Sequence, residues 1–114
     1  MKSHWRFWIR AKSEEKAQKV LQTVFKKAFS NEITSDPKFA PYPKIGGFTA
    51  TFLLERTNIS WEMFVYEMIR LGQLIGHQWS LTGSVEQQCD GFSCKPTISG
   101  LEAINWACDR PLEE

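Results

Sequence analysis

The sequence predicts an α+β fold. Three runs alternate with a period of two residues, HWRFWIRA (4–11), FTATFLLER (48–56) and HQWSLTGSVE (77–86). Between them lie two stretches whose apolar residues recur every three or four positions. A chain of 114 residues holds one hydrophobic core and is too short for two domains. At 42% hydrophobic residues, with eight Phe and five Trp, it has the material to build that core.

In the first run Trp5, Phe7, Ile9 and Ala11 share one side, and His4, Arg6, Trp8 and Arg10 share the other, as in a half-buried strand. Ser13 followed by Glu14 and Glu15 reads as a helix cap with acids in the first turn. Ala17, Val20, Leu21, Val24, Phe25, Ala28 and Phe29 then form the buried stripe. Pro37, Pro41, Pro43 and Gly46-Gly47 confine the next strand, 38–42, to a sheet edge, where a missing N–H donor does no harm. In 48–56, Phe48, Ala50, Phe52 and Leu54 face inward. Ser60 caps a second helix with Trp61, Phe64, Val65, Met68, Leu71 and Ile75 as its stripe, and Gly76 takes the left-handed terminal position. The run 77–86 supplies Trp79, Leu81, Gly83 and Val85.

Strand, helix, edge strand, strand, helix, strand is the βαββαβ order of the ferredoxin-like plait, an antiparallel sheet with two helices on one face. It is complete at residue 86, which makes 87–114 a C-terminal extension of one domain. Asp90-Gly91 signals a two-residue hairpin turn within it. Residues 98–108 admit a helix, from Ser99-x-x-Glu102, or a strand, from Ile104, Trp106 and Cys108. Gly100 at the start and Pro111 near the end favour the strand.

The formal charge of +1 conceals an uneven layout. Residues 1–44 carry ten Lys/Arg against four Asp/Glu, 45–76 carry two against three, and 77–114 carry two against six. A basic front and an acidic back steer partners more than they build folds. Phe7-Trp8-Ile9 lies between Arg6 and Arg10 and serves neither as a signal sequence nor as a membrane span, so a cytoplasmic protein without membrane contact is expected. Three cysteines, Cys89, Cys94 and Cys108, are an odd number and read as reduced thiols.

Catalytic and metal chemistry find little purchase. In a plait whose last strand is 77–86, His4 lies near Glu86 or Gln88, more than about 20 Å from His77. Cys89, Cys94, Cys108 and His77 lack the spacing of a zinc site, and the hairpin makes Cys89 and Cys94 diagonal neighbours, so no metal or cofactor is expected. The open sheet face would present His4, Arg6, Trp8, Arg10, Thr49, Thr51, Leu53, Glu55, Ser80, Thr82 and Ser84. Base stacking as in RNA-recognition motifs needs aromatics on both central strands, and only Trp8 qualifies, which disfavours nucleic acid. The plain alternative is a solvated surface, or one covered by 87–114.

In size, plait order and an acidic, aromatic C-terminal segment, carried by HWRFWIRA, FTATFLLER, HQWSLTGSVEQQCDGFSC and GLEAINWACDRP, the chain resembles the small immunity proteins of bacterial contact-dependent inhibition systems. The resemblance implies a non-enzymatic protein that binds a cognate toxin domain, for instance a nuclease, and blocks its active site. Glu86, Asp90, Glu102 and Asp109 would then accept hydrogen bonds from Lys or Arg of the toxin, with Phe92 and Trp106 as aromatic anchors. The alternative is a regulatory or small-ligand-binding plait, dimeric through its sheet faces, using Arg6, Trp8, Arg10 and Glu55 on the open face, with the two arginines gripping an anionic metabolite.

Overall fold

The serines marked as caps start both helices in the computed structural model, which describes residues 1–112. Ser13 accepts a hydrogen bond from the Lys16 amide and Ser60 one from the Met63 amide, each satisfying an N–H that has no partner within its helix. In chain order the elements are β1 (Lys2–Arg10), α1 (Glu14–Val24), β2 (Ile33–Thr34), β3 (Lys38–Tyr42), β4 (Gly47–Glu55), α2 (Trp61–Gln73), β5 (Gly76–His77), β6 (Ser80–Ser84), β7 (Gln88–Ser93), β8 (Lys95–Pro96) and β9 (Leu101–Asp109). A π-helical segment, Phe25–Phe29, continues α1 and keeps the apolar stripe turning toward the core. No helix among the described residues is long and apolar enough to cross a membrane.

The fold is α+β, with every strand pair antiparallel. The main sheet runs β2–β4–β1–β9–β7–β6, with β3 also on the outer edge of β4, and β5 and β8 form a separate two-stranded sheet. The alternation of β1 and β4 holds residue by residue: Trp5, Phe7, Ile9, Ala50, Phe52 and Leu54 are buried with Ala17, Leu21 and Val24 of α1 and Trp61, Phe64, Met68 and Leu71 of α2 in a single core. Trp5, Phe7, Phe29 and Phe52 meet mostly edge to face or stacked, with ring centroids 5.0–6.3 Å apart. Strand 38–42 forms as read, on the edge, with Pro41 opposite Phe48.

The C-terminal third departs from the sequence reading. The strand beside β1 is β9, and 77–86 does not take that place. Gln78, at φ 53°, breaks the alternating run into β5 and β6, and two of its supposed inward residues, Leu81 and Val85, are 45% and 57% exposed. Leu101, Ile104, Trp106 and Cys108 supply the larger and better-buried apolar stripe, so β9 takes the central position and 98–108 forms the favoured strand. Of the expected extension 87–114, the described residues 87–112 are therefore not an appendage to a finished sheet: β9 lies between β1 and β7.

Asp90-Gly91 makes no turn. Both residues lie within β7, and the hairpin from β6 turns at residues 85–87. Gly91 stands beneath the indole of Trp106, where a Cβ has no room, so the glycine serves close packing rather than reversal. Gly76 takes no left-handed conformation: α2 ends at Gln73 with Leu74 as its cap, and Gly76 opens β5. Cys89 lies opposite Cys108 across β7 and β9 and is not paired with Cys94; all three thiols are free.

Candidate functional site on the open sheet face

Register determines which side chains meet on the face away from the helices. Arg6 lies opposite Thr51 of β4 on one side and Asn105 of β9 on the other, and beyond them come Lys38 of β3 and Phe92 of β7. One step along, His4 lies between Leu53 and Ala107, with Asp90 beyond Ala107. One step the other way, Trp8 lies between Thr49 and Ala103. Because Ala103 is small, Trp8 reaches over β9 and meets Phe92 edge to face, with centroids 6.1 Å apart. The Arg6 guanidinium sits 5.8 Å from the Trp8 ring. Asn105 donates to the Gly91 carbonyl at 2.8 Å, which fixes the floor between the two aromatics.

The residues picked from sequence fall into three groups. Asp90, Phe92 and Asp109, expected on an arm, share this face with Arg6 and Trp8, expected to form a competing site: the two candidate sites are one surface. Phe92 is 43% exposed, and Asp90 is half-buried with Oδ1 enclosed and without a hydrogen-bond partner. A second group is spent internally. Arg10 forms an ion pair with Glu102 through a β-bulge between β1 and β9, and Lys2 approaches Glu55 at 4.0 Å, so the idea of Arg6 and Arg10 sharing one anion is corrected.

The third group lies elsewhere. Trp106 is fully buried at 0% exposure, tilted against Trp5 and packed over Gly91, and is corrected from interface anchor to core residue. Glu86 sits in the 85–87 turn, where its carbonyl accepts from Arg110 at 3.1 Å. His4 faces Leu53 and Ala107, not Glu86 or Gln88, while His77 is on β5 opposite Lys95. Burial pushes the thiols of Cys89 and Cys108 up, the latter to about 12, which disfavours the nucleophilic thiolate. Among the described residues no three His, Cys, Asp or Glu gather as metal ligands.

Lys38, Asn105, Ala103 and Ala107 were not singled out from sequence. Lys38 alternates with Ala40 and Tyr42, but its place in one row with Thr51 and Arg6 depends on β3 pairing with β4 in this register. The two alanines are ordinary until β9 lies between β1 and β7. No protein-family model, no curated protein and no solved structure matches this chain.

Proposed function

We propose that the chain is a non-catalytic binding protein that grips a protein partner with its open sheet face, and that the partner is a toxin domain, as for the contact-dependent inhibition immunity proteins the sequence resembles. The observation that carries this reading is the Trp8–Phe92 pair. Two large aromatics stand partly exposed on a rigid sheet, locked edge to face, with Arg6 against one of them. Aromatic and arginine side chains of this kind dominate binding energies because they bury much area at little entropic cost. Charges of both signs flank the pair, Arg6 and Lys38 toward β3, Asp90 and Asp109 toward β7, so the complementary partner presents an acidic patch beside a basic one.

The scaffold reading that goes with this function is a ferredoxin-like plait in which β9 is the sixth element and residues 76–96 are an insertion between α2 and β9. What supports it is that β9 pairs antiparallel with β1, and that α1 and α2 join one core.

The test is protection of bacterial cells that express the toxin domain encoded by the adjacent reading frame. The wild-type chain is expected to restore growth and to bind the domain. Trp8→Ala together with Phe92→Ala, on the face away from the core, should weaken binding by at least about 2 kcal/mol, roughly thirtyfold. No protection by the wild type, or undiminished binding by the double variant, overturns the proposal.

A further inference from the structure

A depression of about 690 Å³ lies over Thr51 on the β3–β4–β1 half of the open face, to one side of the aromatic pair. That volume is within the usual range for small-molecule sites. Lys38, Thr51 and Arg6 cross it in one row, in register on three adjacent strands. Two strand spacings separate the outer pair, about 9.6 Å between Cα atoms, so two cationic side chains flank the hydroxyl of Thr51.

Lys2, Arg10, Arg56 and Arg70 all pair with glutamates, whereas neither Arg6 nor Lys38 forms an ion pair among the described residues. The sheet thus carries two like charges on either side of Thr51, an arrangement that an anion relieves. The guanidinium fork suits phosphate oxygens, the ammonium supplies a second positive charge, and the Thr51 hydroxyl supplies a donor between them.

The row one step along the strands, about 6.8 Å away, carries His4 and Leu53, an imidazole beside an apolar side chain. Asp36 closes the rim on the β3 side, and its carboxylate accepts hydrogen bonds from hydroxyls. The rim is built in advance: the Ser35 amide donates to the Leu53 carbonyl at 2.8 Å, and the Leu53 amide donates to Ser35 Oγ at 2.9 Å. A cationic row, a carboxylate at the rim and a partly apolar wall offer partners for a phosphate, a sugar and a base.

We infer that this depression binds a nucleoside 5′-monophosphate, with phosphate on Arg6, Thr51 and Lys38, ribose hydroxyls on Asp36 and the base against His4 and Leu53. The inference does not rest on the toxin-binding reading, although Arg6 and Lys38 belong to both surfaces. The test is an amide-resolved NMR titration of the full chain with AMP, GMP, CMP and UMP, beside adenosine, ribose 5-phosphate and inorganic phosphate. At least one nucleotide at millimolar concentration is expected to shift the amides of Arg6, Lys38, Thr51 and Leu53, binding at least about tenfold more tightly than inorganic phosphate. Adenosine should bind weakly, and Arg6→Gln with Lys38→Gln, both exposed positions, should abolish the shifts while leaving the rest of the spectrum folded.

Three results overturn the assignment: no nucleotide shifts these amides, the double variant binds as well as the wild type, or inorganic phosphate binds as tightly as every nucleotide. No toxin enters this experiment, so its failure is distinct from failure of the protection assay.

Discussion

Cys108 shows how a single side chain records its surroundings. Loss of hydration on burial is the largest cause raising its thiol from 9.0 to about 12, and the neighbouring Cys89 adds to it; Cys89 itself is raised by burial and by the charge of Asp90. In the unfolded chain both thiols ionise near pH 8.5, so above that value the unfolded state has released protons that the folded state still holds. Their contribution to stability is full below about pH 8.5 and is lost as pH rises toward about 12. Urea unfolding between about pH 8 and about pH 11 should therefore show a steeper loss of stability in the wild type than in Cys108→Ala. Equal losses in the two proteins would refute the burial account. At Gly91 and Trp106 the coupling is steric instead, the absent side chain of one being the space filled by the other.

The element that decides the fold is β9. It pairs with β1 through seven residue pairs and with β7 through six, and it places Ile104, Trp106 and Cys108 in the core. Removing residues 101–114 should abolish the cooperative thermal transition followed by circular dichroism, because it strips two strands of their partners and leaves a cavity of several large side chains. A truncated chain that melted cooperatively near the wild-type temperature would show that the remainder is a self-sufficient scaffold. A second tie acts at the opposite edge. Arg56, just beyond β4, bonds Glu32 after the π-helical segment and Glu67 on α2, and Glu67 also holds Arg70. Hydrogen bonding from Arg70, ahead of that from Arg56, holds the Glu67 carboxyl below its ordinary range.

Across the whole molecule the sheet outgrows its helices, giving principal extents of 43 × 25 × 21 Å. Every residue of β6 is exposed, whereas β1, β4 and β9 each bury alternate residues beneath the helices. Native-state hydrogen exchange should accordingly be faster in β6 than in β1, β4 and β9 by about two orders of magnitude or more. Uniform protection across the sheet would count against this division. The same spread places the basic N-terminal third beside the acidic C-terminal third. On the open face the basic residues of β1 and β3 stand beside the acidic ones of β7 and β9, with Arg10 and Glu102 neutralising each other where the two regions meet.

Much of this was legible because it is local. Alternation in 4–11 and 48–56, the Ser13 and Ser60 caps and the proline-guarded edge at 38–42 follow from backbone periodicity and nearby hydrogen bonds, which neighbouring residues suffice to specify. The C-terminal third was not, since Trp79-Leu81-Val85 and Ile104-Trp106-Cys108 both alternate and only competition for the place beside β1 separates them. Asp90-Gly91 was misread for the same reason: a glycine required by a distant indole looks, in sequence, like a glycine required by a turn.

For the site, the sequence named Arg6, Trp8, Asp90 and Phe92 but assigned them to different surfaces. Which side chains each strand offers was determined by the sequence through its two-residue period. Which of them meet was decided by tertiary structure, because strand order and register depend on how much apolar surface each competing pairing buries, a property of the whole chain.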